Sequence, residues 1–167
     1  GEARPEVNGR PGSNPLKFDV EYHITEEQMR VLKQMDEDLG LGEHRREFEH
    51  LGFASPLADP DIFPFVDSNL RVAGTLDAHF RVSDRPGVKT KPNEKDMNDM
   101  IKWVKEAKSR ADVVILSLHA HEQKHTREHP ADFIVEFSRR MVDEGADVVA
   151  IHGPHLLRGM EIYNGKP

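Results

Sequence analysis

Six of the ten histidines in this chain lie between positions 119 and 155: His119, His121, His125, His129, His152 and His155. Cysteine is absent, so any transition-metal site must be built from His, Asp, Glu or Asn, and disulfides are excluded. Clustered imidazoles suit Zn, Mn, Fe or Ni rather than Ca or Mg. Two such ions held close together would polarise a phosphoryl oxygen and generate a hydroxide nucleophile. That chemistry also calls for a bridging carboxylate, usually Asp, which this stretch does not obviously supply.

The elements that must position these histidines share an internal echo. Ala111-Asp112-Val113-Val114 leads to His119, and Ala146-Asp147-Val148-Val149 leads to His152. Each apolar run delivers a histidine at its carboxyl end, which is where parallel sheets bind ligands. His119 and His152 are therefore expected on one rim. His121 follows two residues on, and Gly153-Pro154 makes a tight turn that brings His155 towards the same centre.

Residues Asp112 to Leu118 form a nearly continuous β-branched run, as a strand buried on both faces would. Pro130 stands where a first helical residue belongs, with Phe133, Ile134, Phe137, Met141 and Val142 as the buried face and Gly145 as the stop. Asp147 to Ile151 is a second strand. Strand, helix, strand makes a right-handed parallel βαβ unit, and the fold class is α/β.

Upstream, Gly1 to Asn14 reads as loop, and Leu16 to Ile24 alternates as a half-buried strand does. Thr25 and Gln28 form a capping box for a helix with Met29, Leu32, Met35 and Leu39 on its apolar side and Gly40 as its stop. A short helix over Glu43 to Leu51 follows, then Pro- and Asp-punctuated loop from Ala54 to Val66. Leu70 to Ala73 and Ala78 to Val82 read as short strands, and Gly87 to Pro92 leads into the N-cap Asn93. A helix then carries Met97, Met100, Ile101, Val104 and Ala107 on one stripe. At the far end, Leu156 to Tyr163 reads as a strand entering an Asn164-Gly165 hairpin turn. Only Lys166 and Pro167 follow, so the sequence reads as a piece of a longer protein. The organisation expected is a single partial domain over 1–167, loop-rich over 1–92 and βαβ over 93–167.

Several residues read more simply. His125 and His129 lie in a charged loop and read as solvated, and His23, His44, His50 and His79 have no partners by spacing. Glu122 is either a partner that orients an imidazole or an exposed acid. Arg158 reads as a surface arginine, with contact to an anionic substrate as the alternative. Trp103 reads as the rim of the core.

Hydrophobic residues make up 37% of the chain and charged residues 32%, the balance of a globular domain. The net charge of −7 argues against a nucleic-acid partner, which needs a basic face. No apolar run approaches the roughly 18 residues of a membrane span, and the Gly1 to Pro5 stretch has no signal-peptide hydrophobic region.

Three segments together resemble one known family. They are Ala111 to Glu122 with its His119-Ala120-His121, Gly145 to His155 with its His152-Gly153-Pro154-His155, and Gly159 to Pro167. They are similar to the CapA (poly-γ-glutamate capsule biosynthesis) family, which itself resembles the calcineurin-like metallophosphoesterases. Arg10 to Leu16 and Lys91 to Lys95 also look like one branch of it. The resemblance implies a metallophosphatase-like β-sandwich flanked by helices, with a dinuclear centre on strand-end loops. It implies His119, His152 and His155 as metal ligands, with His121 and Glu122 in the variable positions after the first ligand as candidate catalytic residues. It further implies two divalent transition metal ions (Mn, Fe or Zn), a phosphoester or anionic polymer substrate, a capsule synthase partner and a place at the cell envelope. The family's earlier motifs, a Gly-Asp and an Asn-His pair, are not found before residue 112. The function implied is a metal-dependent hydrolase; the alternative is a non-catalytic envelope protein that binds or anchors an anionic capsular polymer.

Overall fold

The computed structural model describes residues 14–66 and 77–167. The expected strand at Leu70 to Ala73 and nearly all of the expected N-terminal loop lie outside these residues. Two compact units emerge: residues 20–89, and the described part of 1–19 together with 90–167. Among the described residues no helix is long and apolar enough to cross a membrane.

The chain begins with β1 (Phe18–Ile24), α1 (Glu26–Asp38), α2 (Leu41–His50), β2 (Phe63–Val66), β3 (Asp77–Val82) and β4 (Gly87–Pro92). The strands are ordered β2-β3-β1-β4 in one sheet, with β1 parallel and β2 antiparallel to β3. The capping box of α1 forms as expected: Gln28 N donates to Thr25 Oγ1 at 3.2 Å and Thr25 N donates to Gln28 Oε1 at 2.9 Å. Gly40 ends that helix at a φ of 70°, a left-handed conformation that glycine adopts without a Cβ penalty. Of the expected apolar side, Met29 is buried, whereas Met35 and Leu39 stay exposed.

Two strands depart from the sequence reading. β2 lies inside the stretch expected to be loop, and β4 occupies Gly87 to Pro92. Pro64 and Pro92 concealed them. Proline lacks an N–H for the ladder and is confined to edges and strand ends, and both strands are edges of this sheet. The Pro64 carbonyl instead accepts from Arg45 Nη1 at 2.8 Å.

The second part of the chain contains α3 (Glu94–Lys108), β5 (Ile115–His119), β6 (Gln123–Lys124), β7 (Thr126–Pro130), α4 (Asp132–Asp143) and β8 (Val148–His152). Asn93 caps α3 by accepting from Lys95 N and Asp96 N, both at 3.1 Å. β5 and β8 pair in parallel, so the expected βαβ unit is present and the α/β class holds. Met97, Ile101 and Val104 of α3 pack with Phe137 and Met141 of α4 and Leu116 of β5 in one core cluster. Phe133 and Ile134 anchor a second cluster with Ala120 and Ala131, where Phe133 stacks on Phe18 with ring centroids 4.1 Å apart.

Other expectations for this part are corrected. Pro130 ends β7, and Ala131 is the N-cap of α4. A β6–β7 hairpin therefore fills the crossover before the helix begins. Ala107 and Trp103 are exposed. The β5 run is not buried on both faces: Val114 and Leu116 are buried, while Val113 and Ile115 are 61% and 66% exposed. The reason is that the helices cover one face only, and β5 has one strand neighbour among the described residues. Leu156 to Tyr163 forms no strand; it makes only an isolated bridge from Tyr163 to Lys166. The Asn164-Gly165 turn itself forms, both residues having positive φ, as a type I′ turn requires. Pro167 O then accepts from Val149 N at 3.1 Å.

The amino end of the β5–β8 pair is tied by one carboxylate. Asp147 Oδ2 accepts from Val114 N and from Lys108 Nζ, each at 2.8 Å. Its other oxygen lies 3.2 Å from Lys166 Nζ. The Lys108 ammonium, the Val114 amide and Lys166 hold this carboxyl well below the usual carboxylate range.

Candidate metal centre

The sequence echo and the strand ladder do not run in step. The echo repeats at a spacing of 35 residues, whereas the ladder pairs residues 33 apart, such as Ile115 with Val148. This slip is even, so it leaves every side chain on its own face. Its effect is to bring His119 level with His152, the final pair of the ladder. Their rings meet edge to face with centroids 4.7 Å apart.

His121 joins from the next loop. Its Nε2 lies 2.8 Å from Nε2 of His119, and its ring is 5.1 Å from that of His155. His152 Nε2 is also 3.2 Å from Ser117 Oγ, which belongs to the same face of the sheet one step back along β5. All four histidines that the sequence singled out thus form one chain of contacts, His152 to His119 to His121 to His155. All four are exposed.

Gly153 explains how His155 arrives there. Its φ is 123°, and a Cβ at this position would stand 3.0 Å from Ala120 O and 3.2 Å from Ala120 C. The turn presses against the backbone of the residue between His119 and His121, and Ala120 N donates to His152 O at 2.8 Å. Only glycine fits there. His155 itself has a φ of 59°, a sparsely populated conformation for a residue with a side chain.

Two arginines hold the loops from behind. Arg158 Nε donates to Arg127 O at 2.8 Å. Its Nη2 donates to Glu122 O at 3.1 Å and His121 O at 3.4 Å. Arg127 Nη2 in turn donates to Pro154 O at 2.9 Å. Arg158 is therefore not the plain surface arginine of the sequence reading, and no spacing signal marks a side chain that binds main-chain carbonyls. Glu122 contributes its carbonyl to this arrangement, and its carboxylate makes no hydrogen bond to the imidazoles. His125 and His129 are exposed, with His129 Nδ1 2.9 Å from Thr126 Oγ1.

Contacting imidazoles on a strand-end rim are the donor chemistry of a transition ion. No carboxylate of the described residues joins them. Among those residues no three His, Asp or Glu side chains stand ready to enclose an ion as arranged.

Comparison with known proteins covers the same stretch. The model of the bacterial capsule synthesis protein PGA_cap matches residues 64–167. An uncharacterized Sinorhizobium fredii protein, y4sH, is 30% identical over 164 residues, covering 97% of this chain and 31% of the relative. The PGA biosynthesis protein CapA of Bacillus subtilis is 36% identical over 70 residues, 42% of this chain and 18% of the relative. The capsule biosynthesis protein CapA of Bacillus anthracis is 26% identical over 148 residues, 83% of this chain and 32% of the relative. The chain spans about a third of the length of y4sH and of the Bacillus anthracis protein.

Proposed function

The chain belongs to the bacterial capsule synthesis protein family, and from that premise we propose that its histidine rim holds divalent transition metal for hydrolysis at a phosphoester or capsule-related polymer bond. The observation that supports this reading most is the last register pair, His119 beside His152, with His121 and His155 in contact around it. In this reading His119, His152 and His155 hold the metal, of the Mn, Fe or Zn class, and the bridging carboxylate comes from outside the cluster. When bound, such ions supply Lewis acidity towards a phosphoryl or acyl oxygen and lower the pKa of water.

The chain's own residues have distinct parts. His121, with its Nε2 against that of His119, and Glu122 beside it are the candidate catalytic residues of this reading. The exposure of the four histidines suits a long anionic chain lying across an open surface better than a small molecule enclosed in a cleft. A capsule synthase at the cell envelope is the partner this role would require.

Elemental analysis of the purified chain, after dialysis without chelator, tests the reading. About one or more transition ions per chain, lost in His119→Ala and His152→Ala, is the expected result. Folded protein free of metal, in which neither substitution changes metal content, would instead favour a polymer-binding or anchoring role without catalysis.

A further inference from the structure

The histidines come from two separate stretches, and the strand ladder fixes only one residue of each. His119 and His152 are held by the β5–β8 register. His121 and His155 lie beyond it, in loops that have no ladder. Their rings are nevertheless in contact, and the side chains that hold the two loops together are both arginines.

We propose that Arg158 is the positioning residue of the histidine rim, acting with Arg127 as a two-arginine clasp that sets the distance between His121 and His155. Arg158 donates to three carbonyls, those of Arg127, His121 and Glu122. It thereby joins the segment that carries His121 to the β6–β7 hairpin. Arg127, whose carbonyl Arg158 holds, reaches on to the carbonyl of Pro154, the residue immediately before His155. The clasp therefore runs from one loop to the other through two guanidinium groups. Planar guanidinium donors suit this task, because their N–H groups diverge in a fixed fork.

A purely stabilising role fits the geometry less well. Arg158 Nη1 is buried with no hydrogen-bond partner among the described residues. Nε and Nη2 are paired, but leaving Nη1 without a partner costs free energy, so stability alone does not account for Arg158. Charge gives a second discriminator. A guanidinium beside a cation site repels the cation, so removing it would strengthen metal binding if charge were all that mattered. Loss of the clasp predicts the opposite sign.

The test titrates cobalt(II) into the 167-residue chain and its Arg158→Ala, Arg158→Lys and Arg127→Ala variants, followed by visible absorbance. Arg139→Ala is the control, an exposed arginine paired with Glu161 at 2.6 Å. Melting temperatures and histidine-ring NMR spectra are recorded on metal-free samples. Arg158→Ala is expected to weaken cobalt binding roughly 10–100-fold, the usual effect of losing a group that orients a ligand. Arg127→Ala should change it in the same direction and Arg139→Ala not at all. Arg158→Lys should not restore affinity, since a single ammonium cannot span the same carbonyls. In the metal-free spectra the rings of His121 and His155 should shift, while those of His44 and His79 hold.

Unchanged or tighter cobalt binding in Arg158→Ala, with the His121 and His155 resonances unmoved, would overturn the clasp. Full rescue by Arg158→Lys would overturn it too, by showing that charge suffices. Should Arg158→Ala fail to fold, Arg158→Lys and Arg127→Ala decide by the same criteria. Only the cobalt arm rests on the metal-holding reading above. If the native chain binds no cobalt, that reading fails by itself, and the metal-free spectra alone decide the clasp.

Discussion

The two ends of the β5–β8 pair are built from the same sequence echo and do opposite things. At the amino end, Asp147 binds Val114 N and Lys108 and lies beside Lys166, so this carboxylate is committed to partners within the chain. At the carboxyl end, four imidazoles contact mainly one another and solvent. The same two strands thus end in a fastening and in an open donor set. Groups already committed to fixed internal partners hold structure, whereas exposed groups with few such partners are accessible to a ligand. The difference gives the amino end a fastening role and leaves the carboxyl end exposed, as the proposed reading requires.

Five substitutions test this contrast, beginning with the largest effect. Phe137 is 1% exposed in the core cluster that holds Leu116 of β5. Phe137→Ala should cost about 3–5 kcal/mol, read by denaturant unfolding. A loss under about 1 kcal/mol would mean that the helices do not support the sheet as described.

Gly153→Ala should come next, at about 1–3 kcal/mol, from the positive φ and the approach to the Ala120 backbone. Circular dichroism melts measure it, and the His155 ring resonance should shift at the same time. An unperturbed His155 would remove the turn from the account of the rim.

Asp147→Asn should lower stability at neutral pH, with the gap closing on acidification. The sign follows from the depressed carboxyl. Its contribution is fully present above the ordinary Asp value of about 4 and is lost as pH falls through the lower, folded value. Melting curves of both proteins from pH 6 down to pH 2 would show it, and a constant gap would contradict the fastening role.

Smallest for stability are His119→Ala and His152→Ala, expected within about 0.5 kcal/mol of the parent because both side chains are exposed. A loss of 2 kcal/mol in either would make the carboxyl end a structural element as well and erase the contrast.

The sequence made the two ends unequally legible. The echo and the histidine spacing marked the rim, and the apolar stripe of α4 identified all five of its buried side chains. Neither could reveal the two-residue slip of the ladder, because side-chain period fixes face and not register. The apolar run of β5 promised burial on both faces, but hydrophobicity reports what a strand tolerates, and here the outer face of Val113 and Ile115 is uncovered. Pro64 and Pro92 hid two edge strands. Arg127 and Arg158 were illegible for another reason: their partners are main-chain carbonyls, which carry no residue signature. Gly153 was visible as a turn, yet its positive φ and the nearby Ala120 backbone, which explain why it must be glycine, were not.

The most direct measurement is a zinc titration of the isotopically labelled chain, read from the ring resonances of all ten histidines. His119, His152 and His155 are expected to shift together at about one equivalent, with His121 following, while His44 and His79 remain in place. Saturable shifts confined to other histidines, or no saturable shift at all, would contradict the claim that the carboxyl end of this sheet is a metal-binding rim.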